Sequence, residues 1–258
     1  MSSSPCKIVI PSHKRADRVI TGKLLRSPII CVAESQRDEY VRHNPGAEIV
    51  CHPDDVVGLI PKRNWMVKHF GDIFMLDDDI SKVFINYRSE DDLENSTVDP
   101  VFIEKIIYNL YDLAKMLGIN LFGFSNLTAP VQYNEFDFLS LRRSITGCSY
   151  GMLKNDYLVW NEKMKVKEDM WISCLAKYYD RKVLVDLRYT FVQQKTMVNR
   201  GGLAGIRNQD TEDQSILELK KNFGSVIHMK SKGTVIKDGK VLGKKEKIKH
   251  NISVKFCF

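Results

Sequence analysis

The 258-residue sequence lacks several features that would place it in a specialised class. It has no run of about 18 apolar residues, so it predicts no membrane-spanning helix. Residues 1–5 lack the apolar core of a signal peptide, and we therefore expect a cytoplasmic protein. Its six cysteines form no Cys-x-x-Cys pair, which argues against a zinc site and favours free thiols.

The sequence is rich enough in apolar residues to form a folded core. Hydrophobic residues make up 43% of the chain and aromatic residues 10%, a composition that excludes disorder over most of its length. The length fits one large domain with a terminal extension. We divide the chain into a domain over residues 1–230 and an extension over residues 231–258.

The positive charge is concentrated near the end of the chain. Residues 220–258 contain 11 Lys and no Arg, against Asp238 and Glu246, and therefore carry a net charge of +9. The whole chain carries +7, so residues 1–219 carry −2. A basic segment on a nearly neutral body predicts a polyanionic partner, with nucleic acid first and an anionic membrane second. The alternative is a solvated, solubilising tail.

Apolar runs alternate with helical patterns through the first half of the chain. This alternation predicts an α/β fold with a mostly parallel central sheet flanked by helices. The clearest helix is predicted for residues 100–117, with Asp99 as N-cap and Gly118 as its end. A short polar helix is predicted for residues 35–42, with Ser35 as N-cap. The other predicted elements are strands over 7–11, 28–33, 47–51, 72–76, 82–87, 121–125 and 182–193, helices over 59–70, 168–179 and 210–223, and a hairpin over 235–242 that turns at Asp238-Gly239.

Three consecutive acids, Asp77, Asp78 and Asp79, follow the apolar strand predicted for residues 72–76. Adjacent carboxylates repel each other, and a divalent cation with hard oxygen ligands, Mg²⁺ or Mn²⁺, would offset that repulsion. In extended backbone Asp77 and Asp79 point to one side and Asp78 to the other. Ligand sites of α/β sheets lie at the carboxyl ends of strands, so the pattern favours a metal–phosphate site over a solvated loop.

A strand that ends in Asp-x-Asp resembles the signature of GT-A nucleotide-sugar glycosyltransferases, and other segments resemble further motifs of that fold in the same order. Residues 9–15 resemble its opening strand and donor loop, and Arg63-Asn64 its helix pair before the metal motif. Lys167-Glu168-Asp169 resembles its x-Glu-Asp motif, and His228 is placed like its C-terminal histidine.

This resemblance implies a role for each matched residue. Asp169 would be the general base of an inverting transfer, with Glu168 as the competing candidate. Asp77, Asp79 and His228 would hold Mn²⁺ or Mg²⁺. The implied contacts to a UDP-sugar donor are Pro11, Ser12, His13, Arg15, Arg63, Asn64, Asp77, Asp78, Arg200, Gly201 and Gly202.

A narrower resemblance rests on residues 10–19, 76–79, 168–171 and 199–202. These segments resemble the TET-associated glycosyltransferases, which occur mainly in bacteriophages and are related to the base J glucosyltransferase. The resemblance implies sugar transfer, with UDP-glucose as the favoured donor, to a 5-hydroxymethylpyrimidine in DNA.

Three alternatives remain open from the sequence. The first is the same fold with a protein or glycan acceptor, which would leave the basic segment unexplained. The second is a nucleotidyltransferase or metal-dependent nuclease; a nucleotidyltransferase often has a Gly-rich loop after its first strand, and residues 11–15 contain no glycine. The third is a non-catalytic DNA-binding module, which would not need Asp77, Asp79 or Asp169.

Overall fold

The structure is a computed structural model that describes residues 6–87, 99–125, 133–145, 147–194, 206, 208–230, 236–237, 240–241 and 251–254. Its helices are α1 (Arg37–His43), α2 (Leu59–Phe70), α3 (Pro100–Leu117), α4 (Glu168–Tyr179) and α5 (Gln209–Phe223). Its strands are β1 (Lys7–Pro11), β2 (Ile29–Ala33), β3 (Glu48–His52), β4 (Ile73–Leu76), β5 (Ile80–Ile85), β6 (Leu121–Ser125), β7 (Leu139–Ser140), β8 (Ser149–Met152), β9 (Leu184–Gln193), β10 (Ile227–Lys230), β11 (Ile236–Lys237), β12 (Lys240–Val241) and β13 (Asn251–Val254). None of the helices in these ranges is long and apolar enough to cross a membrane.

One mixed sheet forms the centre of the fold. Its strand order is β3-β2-β1-β4-β8-β6-β9-β5, and β7 also pairs with β9. β1 to β4 run parallel to one another, and β6 and β9 share their direction. β8 lies antiparallel between β4 and β6, and β5 and β7 are antiparallel to β9. The predicted α/β class with a mostly parallel central sheet is therefore confirmed.

Helices cover both faces of the sheet because the strand side chains alternate between two apolar clusters. Ile8 and Ile10 of β1 belong to the cluster that contains Ile107 of α3. Val9, between them, belongs to the cluster that contains Met66 of α2. The second cluster also includes residues of α4 and α5, so the sheet is buried on both sides. The cysteines of the described ranges are free thiols, as predicted: Cys6, Cys31, Cys51, Cys148 and Cys174.

The two predicted N-caps have different outcomes. The side chain of Asp99 accepts a hydrogen bond from the Val101 amide, and α3 ends at Gly118 with φ 60°, as predicted. The prediction for Ser35 is wrong, because α1 begins at Arg37 without a side-chain cap. Ser35 instead donates from Oγ to the Asp54 carboxylate at 2.7 Å, a contact 19 residues away in sequence.

The C-terminal part of the described chain contains two small antiparallel sheets. β10 pairs with β13, so strands from either side of the predicted boundary at residues 230 and 231 join in one sheet. The boundary itself stays a prediction. β11 pairs with β12 at the two ends of the predicted hairpin. The turn residues, Asp238 and Gly239, lie outside the described residues.

The strand order brings several distant segments to one edge of the sheet. β1 and β4 are parallel neighbours, so the loops that follow Pro11 and Leu76 lie side by side. Because β8 is antiparallel to β4, its first residue, Ser149, lies opposite Leu76. β9 changes register after pairing with β6 and then pairs with β5, where Gln193 lies opposite Ile80.

The close approach of β8 to its neighbours predicts a strict need for glycine at position 151. A Cβ there would lie 2.3 Å from Cζ of the buried Phe122 ring and 2.9 Å from the Ile73 carbonyl oxygen. We expect Gly151→Ala to lower the free energy of unfolding by about 1–3 kcal/mol, the usual cost of overpacking a core. Urea denaturation measures this loss. Gly22→Ala is the control, since its Cβ would meet Pro28 at an ordinary 3.9 Å; equal stabilities of the two variants would contradict the prediction.

Candidate active site

The three aspartates after β4 divide between two directions. Nε2 of Gln193 donates to Oδ2 of Asp77 and to Oδ1 of Asp79, both at 3.0 Å. Asp78 instead accepts from Oγ of Ser12 at 2.5 Å and from Nη1 of Arg15 at 2.8 Å. This division is the one predicted from the alternation of extended backbone, although Asp78 and Asp79 themselves lie in a turn. Asp77 and Asp79 thus form a two-carboxylate pair, and the middle acid faces the loop after β1.

Asp78 fixes the loop after β1 through a short hydrogen-bond network. The Ser12 hydroxyl gives its proton to Asp78, so the Tyr40 hydroxyl, 2.7 Å away, donates to Ser12 Oγ. The same Tyr40 oxygen accepts from the Arg15 amide at 3.0 Å. Arg15 also extends to Asp79, with 3.7 Å between Nη1 and Oδ2. The predicted donor loop is therefore held against the aspartates that follow β4.

Thr21 fixes the backbone of the acidic segment. Its hydroxyl donates to the Asp77 carbonyl oxygen at 2.6 Å and accepts from the Ile80 amide at 2.8 Å. The Ile20 amide donates to the Asp78 carbonyl oxygen at 3.1 Å. Hydrogen bonds on both sides of the segment hold three mutually repelling carboxylates in one conformation.

Arg63 of α2 lies at the centre of the site and has no exposed surface. Its Nη2 donates to Oδ1 of Asp77 at 3.1 Å and to the Gly147 carbonyl oxygen at 3.0 Å. Its Nη1 donates to Oε1 of Glu168 at 2.9 Å and to the Tyr150 hydroxyl at 2.5 Å. The neighbouring acids raise the pKa of Arg63 against the effect of burial, so the guanidinium is a permanent cation. One side chain thus links the acids of β4 to the first turn of α4.

Glu168 and Asp169 begin α4 and have different surroundings. Glu168 is buried and pairs with Arg63. Asp169 is half-buried, and its Oδ1 accepts from the Met170 amide at 2.8 Å. Its Oδ2 lies 3.8 Å from the point that a Cβ on Gly147 would occupy. Burial, and next the charge of Glu168, raise the pKa of Asp169 to about 6. Such a carboxylate is ionised at neutral pH and more basic than an exposed aspartate.

The carboxylate pair has the chemistry of a site for a hard divalent cation. Burial raises the pKa of Asp77 to about 7 and that of Asp79 above its usual range, and neighbouring carboxylates add to both shifts. A divalent cation would favour the ionised forms and relieve this repulsion. Within the described ranges, however, no three His, Cys, Asp or Glu side chains are arranged to hold a metal ion. The described side chains would therefore fill only part of a coordination sphere.

His228 completes no such three-residue group with Asp77 and Asp79 in the part of the chain that is described. It lies in β10, where its backbone pairs with Ser253 and its side chain is exposed. Its role as a metal ligand stays a prediction. Arg200, Gly201 and Gly202 lie outside the described residues, and their predicted donor contacts stay predictions as well.

The remaining residues predicted to contact the donor differ in burial and in hydrogen-bond partners. Pro11 is buried at the end of β1, and Ser12 is buried beside Asp78. His13 is exposed, and its Nδ1 is 3.0 Å from Nε2 of Gln36. The Asn64 amide is used by Trp160: its Nδ2 donates to the Trp160 carbonyl and its Oδ1 accepts from the Trp160 amide, both at 3.0 Å. Direct donor contact by Asn64 stays a prediction that this geometry does not favour.

Several site residues are missing from the predictions made on sequence, including Thr21 and Tyr150, described above. Gln193 joins Asp77 to Asp79, and Tyr40 supports Ser12. Lys62 is buried, donates from Nζ to the Ser12 carbonyl oxygen at 2.6 Å, and has its pKa lowered by burial to about 8. Gln193 and Tyr40 have no local signal, because their partners are 28 to 116 residues away. Lys62 has none either, since α2 also contains Arg63, Asn64, Lys68 and His69 and its sequence does not show which of these polar residues are buried.

The contacts of Arg63 predict a large loss of stability when its forked geometry is removed. Arg63→Lys keeps the charge but cannot reach acceptors on four separate residues. We expect it to lower the free energy of unfolding by about 3–5 kcal/mol, as when a buried ion pair loses one partner. Urea denaturation tests this. Arg37→Lys is the matched control, since that arginine pairs with Asp38 at the surface and should change stability by less than about 0.5 kcal/mol. Similar values for both variants would contradict the assignment.

Comparison with known proteins adds a family to this geometry. The family model described as TET-associated glycosyltransferase matches residues 6–202, more than half of the chain. No curated protein matches the sequence.

Three solved structures share a remote similarity with the chain. Residues 1–349 of TarS from S. aureus share 10% identity with a TM-score of 0.45, over 73% of this chain and 60% of that one. CMP:2-keto-3-deoxy-manno-octonic acid synthetase complexed with CTP shares 9% identity with a TM-score of 0.36, over 84% of this chain and 100% of that one. The inositol-1-phosphate CTP transferase from T. maritima shares 10% identity with a TM-score of 0.32, over 86% of this chain and 98% of that one.

At this identity and TM-score, none of the three structures indicates what this protein does. The chain spans 60% of the TarS chain. The family match is of a different kind, because it covers the donor loop after β1, the three aspartates and the first turn of α4 in one alignment. The chain belongs to the TET-associated glycosyltransferase family.

Proposed function

We propose that this protein transfers a sugar from a UDP-sugar, with UDP-glucose as the favoured donor, to the hydroxyl of a 5-hydroxymethylpyrimidine in DNA. One observation carries the proposal: Arg63 joins Asp77, of the carboxylate pair after β4, to Glu168, the residue next to Asp169 at the start of α4. A group transfer needs a place for the leaving diphosphate and a base for the acceptor hydroxyl. This site offers both within one hydrogen-bonded cluster, in a member of a glycosyltransferase family.

The donor half of the site would be the edge formed by the loop after β1 and the aspartates after β4. Asp77 and Asp79 would hold Mn²⁺ or Mg²⁺, which when bound supplies positive charge to the leaving diphosphate. Arg15 lies beside both Asp78 and Asp79, so its cationic head would face the same phosphates. Ser12 and Asp78 keep this loop in place. Arg200, Gly201 and Gly202 would add donor contacts from the segment after β9.

Asp169 is the better general base of the two acids in α4. Glu168 already forms an ion pair with Arg63. Protonation of Glu168 would leave the buried Arg63 cation with one anionic partner fewer. Asp169 has one oxygen held by the Met170 amide, and its Oδ2 would lie 3.8 Å from a Cβ on Gly147, so the glycine leaves space beside it. Oε1 of Glu168 lies beside the same space, at 3.4 Å, but is paired with Arg63. In the proposed step Oδ2 of Asp169 takes the acceptor proton as the hydroxyl oxygen bonds to the anomeric carbon. The bond from that carbon to the diphosphate oxygen breaks, and UDP leaves with the electron pair. A single displacement of this kind inverts the anomeric centre.

DNA is the acceptor that the charge distribution favours. The +9 charge of residues 220–258 comes from lysines, which contact phosphates as point charges and do not read base edges as arginine does. Such binding would be tolerant of sequence and would weaken steeply with salt. A hydroxymethyl group inside a duplex would have to leave the base stack to reach Asp169. A protein or glycan acceptor remains the alternative, and would leave this charge without a role.

Transfer should depend on the Asp169 carboxylate and not merely on charge in the region. We expect Asp169→Asn to lower the rate of sugar transfer by roughly 10²–10⁴-fold, the usual contribution of a general base, with little change in thermal stability. Asp55→Asn, at an exposed acid in the loop after β3, is the control and should behave like the wild type. A rate within about threefold of wild type for Asp169→Asn would rule out Asp169 as the base.

The activity should also rise with pH as the Asp169 carboxyl ionises. Only the ionised form accepts a proton, so the acid limb of log kcat/KM against pH should lie near the pKa of about 6. The limb should disappear in Asp169→Asn, because its residual rate has no carboxyl to titrate. A limb that persists unchanged in that variant would assign the titration to another group.

The activity itself is tested by product release. The protein is incubated with Mn²⁺ and a panel of UDP-sugars, with and without DNA that contains hydroxymethylated pyrimidines, and the released nucleotide is identified. The proposal predicts UDP that accumulates only with hydroxymethylated DNA and is lost in Asp77→Asn and Asp79→Asn. Sugar 1-phosphate in place of UDP would favour a nucleotidyltransferase, because such an enzyme would break the diphosphate of the UDP-sugar and transfer UMP. No release with any donor would overturn the proposal.

A further inference from the structure

The residue before the two acids of α4 has an unusual backbone conformation. Lys167 has φ 62° and ψ 31°, in the left-handed region that L side chains other than Asn and Asp rarely adopt. Among the described residues, only Lys14, Lys167 and Arg181 combine a side chain with positive φ. Conformations of this kind persist only where the surrounding structure imposes them. Something must therefore hold Lys167 in place.

An ion pair with α5 supplies that restraint. Nζ of Lys167 lies 2.6 Å from Oε2 of Glu212, and the two side chains are only 14% and 19% exposed. The position of Glu212 is fixed in turn, because α5 begins with a capping box in which Asn208 and Thr211 exchange hydrogen bonds. α5 is thus a rigid support for the Lys167 side chain.

A second contact holds α4 and α5 together one helical turn further on. The rings of Trp171 and Phe223 are 5.0 Å apart, and Trp171 also donates from Nε1 to the Val159 carbonyl oxygen at 3.0 Å. The first turn of α4 is therefore fixed at two points: at Lys167, the strained residue before the helix, and at Trp171 on its apolar face. Between these two points lie Glu168 and Asp169.

We propose that Lys167, through its left-handed backbone and its ion pair with Glu212, is a positioning residue that orients the Asp169 carboxylate for the transfer. After the turn at Lys167 the two consecutive acids have different partners: Glu168 pairs with Arg63, whereas Asp169 accepts from the Met170 amide. This inference rests on the proposed role of Asp169 as base. It assigns to α5, which contributes none of the predicted site residues, a function in catalysis.

The first test separates positioning from donor binding. Lys167→Met and Glu212→Gln each remove the ion pair and should lower kcat by about 10- to 100-fold, the scale of a small misplacement of a reacting group, with KM for the UDP-sugar nearly unchanged. Lys167→Arg, which can still pair with Glu212, should recover most of the rate. Asp210→Asn is the matched control, because it makes the same charge change in the same turn of α5 at an exposed residue. An unchanged kcat in both ion-pair variants would overturn the proposal.

The second test measures the Asp169 carboxyl directly and does not depend on sugar transfer. The charged groups that act on it are Glu168, Arg63 and Lys167, and Tyr150 and Cys174 are the neighbouring neutral groups that can titrate. Loss of the lysine cation in Lys167→Met should raise the pKa of Asp169. Loss of the Glu212 charge should not raise the pKa of Asp169. The Lys167 ammonium group remains in that variant and has one anion fewer to neutralise its charge. ¹³C NMR titration of the labelled carboxyl gives both values.

Equal pKa values of Asp169 in the wild type and Lys167→Met would contradict the proposal even if the kinetics agreed. A second variant, Lys167→Gly, controls for misfolding of Lys167→Met. Glycine adopts φ 62° without strain, so this variant keeps the backbone conformation and loses the ion pair. It should fold and show the same loss of kcat as Lys167→Met. If the wild type transfers no sugar, the proposed function fails, whereas the titration still shows whether Lys167 controls Asp169.

Discussion

The buried guanidinium of Arg63 is the contact on which the rest of the site depends. It joins α2, the end of β4, the start of β8 and the first turn of α4 through four acceptors. Without it, Asp77 and Glu168 would be two carboxylates of like charge with no common counter-ion. Burying charges is costly unless they are paired and hydrogen-bonded, so the acids and the arginine require one another.

The three aspartates show how one short segment can serve both structure and chemistry. Asp78 holds the loop after β1 through Ser12 and Tyr40, whereas Asp77 and Asp79 share a single amide donor from Gln193. The middle acid is therefore engaged by the loop after β1, and the outer pair comprises the two acids proposed to hold a metal ion. The free energy that the fold gives up to concentrate these charges would be recovered when a cation and a diphosphate bind.

Local patterns in the sequence predict the parts of this structure that depend on local physics. Alternation along extended backbone predicts which aspartates face together, and the Asp99 cap and Gly118 predict both ends of α3. Long-range pairing is what the sequence does not reveal. Ser35 looks like an N-cap but bonds to Asp54 across a loop. Arg63 is a donor contact according to the resemblance, yet in the structure it is buried and paired with Glu168, which is 105 residues away in sequence.

The identity of the modified nucleoside is the most direct test of the account. DNA with 5-hydroxymethylcytosine, 5-hydroxymethyluracil or only unmodified bases is treated with the protein, Mn²⁺ and UDP-glucose. The nucleosides are then analysed by mass spectrometry, with Asp169→Asn in parallel. The account predicts a hexose mass on a hydroxymethylated nucleoside alone, and none with the variant. UDP released without a change in any nucleoside, or equal modification by Asp169→Asn, would contradict it.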